Sequence, residues 1–176
     1  MSKGLAYIIT LIVCILLQLA IAPVIAIMGA SPNFLLIPVL LIASRSGAGA
    51  GGVAGFLLGL LSDFAGDGVI GAAAFSFTLV ALIVGLMSSA MEMSPAVGAA
   101  IGLVFGVASE LVYGLVCVLG SMASTGAFST ALTYALPCGI YTGIFAALAL
   151  LTMGFVVASE QPQMGSRFSN SGGVFK

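Results

Sequence analysis

Between residues 5 and 158 the chain is a succession of apolar runs joined by short links, and this pattern leaves few folds open. About 20 apolar residues cross a bilayer as a helix, which satisfies its own backbone hydrogen bonds where no water can. The runs fall at 5–22, 34–43, 47–64, 70–91, 96–119 and 132–158. With 61% of residues hydrophobic and 5% charged, the expectation is an all-α integral membrane protein of about six transmembrane helices. Residues 1–158 form its single domain, and 159–176 read as a polar, disordered cytoplasmic tail. The second run is short for a ~30 Å hydrocarbon core and predicts a tilted, thinned or partly re-entrant span.

What is missing narrows the function. A net charge of -1 without any basic cluster argues against nucleic acid or a polybasic lipid-binding tail. Histidine is absent, which removes imidazole from any metal site, triad or proton relay. Cys14, Cys117 and Cys138 sit inside apolar runs and are odd in number, so they read as buried small residues rather than a disulfide framework. No cofactor, metal site or catalytic residue is expected. The first run has the look of a signal peptide, but Gln18 within it and the spans that follow mark it as a retained helix.

Gly47, Gly51, Gly55, Gly59 and Asp63 recur at every fourth position. On a helix this spacing makes an inclined ridge of glycines ending in a carboxylate, along which a neighbouring backbone can approach closely in lipid. The segment GGVAGFLLGLLSDF at 51–64 has an echo, GAAIGLVFGVASEL, at 98–111. The alignment pairs Gly55 with Gly102, Gly59 with Gly106 and Asp63 with Glu110, which suggests a parallel repeat of helical hairpins. Carboxylates in or near a membrane are functional candidates by default. For Asp63 and Asp67 the preferred reading is a hydrated helix end, whereas Glu110, the deepest charge, is expected to be protonated or to face a polar cavity. Gln18 reads as bonded to a neighbouring helix or hydrated near the interface. Placing Lys3 in the cytoplasm puts Arg45, Arg167 and Lys176 there too across six crossings, so both termini are expected to be cytoplasmic.

With these positions placed, the chain resembles the rod shape-determining protein MreD family. The resemblance rests on Leu17-Gln18, on Pro32-Asn33-Phe34-Leu35-Leu36, and on the run from Gly55 through Leu57 and Leu58 to Ser62-Asp63, followed by Gly71. It covers the first half of the chain by motif and the second half by size and hydropathy. It implies a non-enzymatic protein of the bacterial inner membrane that binds MreC. Together they would support RodA and a class B penicillin-binding protein in building lateral peptidoglycan under MreB guidance. It also implies an S-component-like bundle, the six-helix fold of the substrate-binding subunits of energy-coupling-factor vitamin transporters. Such an S component is the alternative function, and an intramembrane hydrolase is a remoter one. The family has no catalytic residue to carry over. The candidate helix-packing and interaction residues are Gln18, Pro32, Asn33, Gly51, Gly55, Gly59, Asp63, Gly102, Gly106 and Glu110, with membrane lipid as a further partner.

Overall fold

The computed structural model describes residues 3–26, 31–66, 68–91, 94–120 and 127–159, so Asp67 and all of the expected tail at 159–176 except Ser159, the last residue of a helix, lie outside the described residues. All regular structure among the described residues is helical: α1 (Lys3–Ala20), α2 (Leu36–Ala65), α3 (Ala72–Ala90), α4 (Pro95–Gly120) and α5 (Ala127–Ser159). Four stretches, Leu36–Ala65, Ala72–Ala90, Pro95–Gly120 and Thr133–Thr152, are long and apolar enough to cross a membrane, and Ile8–Ala20 of α1 is a shorter apolar helix. About six spans therefore slightly overstates the count.

The difference arises where the second and third apolar runs join in one element. At Gly47 the backbone takes φ 82° and ψ -179°, a region that essentially only glycine occupies. The chain doubles back there. A Cβ placed on Gly51 would come within 2.7 Å of the Ala43 Cα, although residues eight apart on a straight helix are separated by roughly 12 Å. α2 is thus a hairpin with a short arm, 36–46, and a long arm, 48–65. At ~1.5 Å per residue the short arm rises roughly 16 Å, about half of a hydrocarbon core. Leu36, Val39, Leu40 and Ala43 on it are wholly buried, so the arm is apolar all round as far as Ala43, where protein encloses it, and turns polar at Ser44-Arg45-Ser46 near the turn.

The long arm of α2 runs antiparallel to α3, and α4 runs antiparallel to α5. In the first pair the glycines meet backbone: a Cβ on Gly55 would lie 2.7 Å from the Phe77 carbonyl oxygen, and one on Gly59 would lie 2.5 Å from the Ala74 Cα. The second pair has the same construction, with Gly102 against Ala146 and Ala147 and Gly106 against the Gly143 backbone. Equivalent glycines of the two sequence echoes thus mark equivalent points on two helical hairpins. Helices that approach this closely gain dispersion contacts along their length, which is the main attraction between helices in lipid.

The core lies where the short arm of α2 meets the two hairpins. Phe34, Leu35 and Leu40 pack there with Phe77, Val80 and Val84 of α3, Ile101 of α4, and Ala146 and Leu150 of α5. Phe34 also sets its ring edge-on to Phe145, with centroids 5.1 Å apart. α1 contributes Cys14 to this core while Ile8, Ile12, Leu16 and Leu19 stay exposed, as suits a helix with a lipid-facing side.

Candidate functional site

The polar side chains gather at the end of the bundle where α1 and α2 finish and α3 begins. Asp63 lies in the last turn of α2 and is 6% exposed. Its carboxylate accepts hydrogen bonds from the backbone N–H groups of Gly71 (2.9 Å), Ala73 (2.9 Å) and Ala74 (3.1 Å). These are donors at the start of α3 that have no partner within their own helix, and the helix dipole favours negative charge at that point. The expected hydrated helix end is therefore corrected: Asp63 is buried because α3 supplies the hydrogen bonds that water would otherwise make. The close approach of Gly59 to Ala73 and Ala74, one turn back, brings the carboxylate within reach of those N–H groups.

Glu110 occupies the corresponding place in the second hairpin, but α5 has no start there. α5 runs unbroken through Thr142, so the backbone N–H groups at that level are already used inside the helix. Side chains replace them. Asn33 and Thr142 hydrogen-bond to the Glu110 carboxyl. The Thr142 hydroxyl oxygen in turn accepts from the Asn33 backbone N–H at 2.9 Å. Two buried acceptors, Glu110 Oε1 and Asn33 Oδ1, are left without a hydrogen-bond partner.

The segment that carries Asn33 is pinned from three sides. Gln18 Oε1 at the end of α1 accepts the Phe34 backbone N–H at 2.7 Å, which resolves the expectation for Gln18 in favour of an internal bond. The Ser31 backbone bonds to the Cys138 thiol on α5. Pro32 between them is fully buried. Tyr113 of α4 stands within electrostatic range of both Asp63 and Glu110 and bonds to Cys117. Around these groups lies a cavity of about 390 Å³ lined by Gln18, Asn33, Ser62, Phe77, Glu110 and Tyr113 among others.

Of the sequence candidates, Gln18, Pro32, Asn33 and Glu110 are brought together around this cavity, whereas Asp63 is outside its lining although its neighbour Ser62 is in it. Gly51, Gly55, Gly59, Gly102 and Gly106 sit apart from it, at the helix crossings. Thr142 and Tyr113 escape the sequence reading, and Cys138 enters it only as a buried small residue. Thr142 had one available signal, as the polar residue beside Gly143, whose partner Gly106 stands one turn before Glu110. Among the described residues, no group of three or more His, Cys, Asp or Glu side chains is placed to hold a metal ion.

Apolar helices packed through glycines, with buried polar side chains tying one helix to another, define a multi-pass α-helical membrane protein. Residues 1–158 match the family of the rod shape-determining protein MreD, and the chain belongs to that family. It is thereby a rod shape-determining component of the inner membrane, from a structural family not known for enzymatic activity. No curated protein and no solved structure is significantly similar to the chain.

Proposed function

We propose that this protein is a non-enzymatic member of the bacterial cell-elongation complex. In this reading it binds MreC in the inner membrane and so supports lateral peptidoglycan synthesis by RodA and a class B penicillin-binding protein, with MreB coupled indirectly. The observation that carries this reading is the family match over 1–158. The arrangement of the polar groups is compatible with it. Asp63 is saturated by helix N–H groups, and Glu110 is tied to Asn33 and Thr142, so both acids serve to join helices.

Both termini are taken as cytoplasmic. Lys3 opens α1, whose other end lies at the cavity, and Arg45 immediately precedes the Gly47 turn. The Gly47 turn packs on Gly85 near the end of α3, away from the cavity, as the positive-inside rule favours for Arg45. The glycine crossings and the tied segment at 31–34 are proposed to hold the bundle in the shape that its partner recognises.

Affinity purification of the full chain from native membranes in mild detergent, with mass spectrometry of proteins and small molecules, tests this. Co-purification of MreC and the peptidoglycan synthases is the expected result. Recovery of a transporter ATPase module with a bound vitamin would replace the reading with that of an S component.

A further inference from the structure

Two oxygens enclosed beside the cavity require explanation. Glu110 is 9% exposed, its Oε1 has no hydrogen-bond partner, and the neighbouring Asn33 Oδ1 has none either. A buried acceptor without a donor is destabilising, more so when it carries charge. Both residues line the 390 Å³ cavity, a volume within the range of small-molecule sites. Both oxygens are enclosed in this structure, so a ligand in the cavity reaches them only when the Glu110 and Asn33 side chains turn toward it about their last bonds.

We propose that this cavity binds a primary ammonium group, held by the Glu110 carboxylate and the Asn33 side-chain carbonyl. Three observations select that chemistry. First, the two free groups are both acceptors, and an ammonium brings three N–H donors where a quaternary amine brings none. Second, the described lining residues include the acid Glu110 and neither lysine nor arginine. In low-dielectric surroundings such a wall attracts a cation and repels phosphate and carboxylate. Third, Gln18, Ser62 and Tyr113 add neutral polar groups around the same space, and Phe77 offers an apolar side for the carbon attached to the nitrogen. The ammonium could arrive on a free small amine or on an ethanolamine lipid headgroup, since the chemistry at Glu110 is the same. This site is independent of the assembly role proposed above.

The full-length protein in phosphatidylglycerol nanodiscs, which contain no amine, is the starting material, and its melting temperature is followed by far-UV circular dichroism. Ethanolamine hydrochloride is expected to raise the melting temperature saturably, with at least tenfold weaker apparent affinity in Glu110→Gln. Sodium chloride, potassium chloride and tetramethylammonium chloride at equal ionic strength are expected to leave it unchanged. If the source is lipid, phosphatidylethanolamine nanodiscs stabilise the wild type but not Glu110→Gln, and free ethanolamine adds nothing further. Should Glu110→Gln fail to fold, saturation-transfer NMR on wild type replaces it, with methylammonium expected to displace ethanolamine and tetramethylammonium not. Absence of an effect from either amine source overturns the proposal, because a proton on Glu110 would then suffice for the two oxygens. Equal stabilisation of Glu110→Gln, or reproduction of the effect by the other salts, overturns it as well.

Discussion

Replacing Gly59 with alanine tests the closest helix approach in the first hairpin. The added methyl would lie 2.5 Å from the Ala74 Cα and 2.6 Å from the Ala73 oxygen, where carbon contacts normally settle at ~3.5–4.0 Å. Both neighbours are backbone or bonded to it and cannot swing aside, so α3 must move outward by about 1 Å. That movement stretches the Asp63 bonds of 2.9, 2.9 and 3.1 Å to Gly71, Ala73 and Ala74 toward or past the limit of a hydrogen bond. Overpacking typically costs about 1–3 kcal/mol, and each bond to a charged acceptor is worth about 1.5–3 kcal/mol when lost outright. Against this, alanine gains about 1 kcal/mol over glycine in helix propensity. Partial relaxation leaves an expected net destabilisation of about 2–3 kcal/mol.

The control is Gly49→Ala, on the same arm of α2, where an added Cβ has nothing within 4 Å. It gains the propensity without the clash and is expected to be neutral or slightly stabilising. Steric-trapping unfolding in bicelles measures both variants on one scale, and amide exchange at Ala73 and Ala74 reports on the local bonds. If Gly59→Ala matched Gly49→Ala within about 0.5 kcal/mol and kept its amide protection, the helices would not be in the close contact on which the reasoning depends.

The remaining predictions use the same unfolding assay unless noted. Asp63→Ala removes the acceptor for three N–H groups and is expected to cost about 3 kcal/mol, with Asp63→Asn recovering part because it keeps one oxygen. Gly47→Ala forces a side chain into a backbone region at φ 82° and is expected to cost about 1–3 kcal/mol, and a spin-label pair on the two arms of α2 would show them parting. Thr142→Val removes the hydroxyl shared by the Asn33 N–H and Glu110 and should cost about 1–3 kcal/mol, while Thr142→Ser restores most of it. Gly59→Leu, the harsher change at the same crossing, is expected to reduce co-purification of MreC from native membranes.

How far the fold was legible in the sequence depends on the range of the interaction concerned. Apolar runs and four-residue glycine spacing are local properties, and lipid turns them directly into helices with one ridge of small residues. The hairpin at Gly47 had a partial signal in the short run at 34–43, too brief to cross a bilayer by itself. Nothing local distinguished Gly47 from Gly49 as the residue that turns, because the choice rests on Ala43 meeting Gly51 and on Gly85 receiving Ala48. From sequence Asp63 reads as hydrated because no cation is within evident reach along the chain. Its partners begin eight residues onward, at the start of a helix that must first fold back against Gly59.

By itself the sequence determined a helical membrane protein with two echoed glycine segments, each carrying an acid one turn beyond its last glycine. These follow from composition and period, which act residue by residue on a chain surrounded by lipid. Only the tertiary structure decided what the two acids do. Asp63 meets a helix start and is satisfied, whereas Glu110 meets an unbroken helix and relies on Thr142 and on Asn33. The Asn33–Thr142 contact joins residues 109 apart, so it exists only once α5 has packed against the segment that leads into α2.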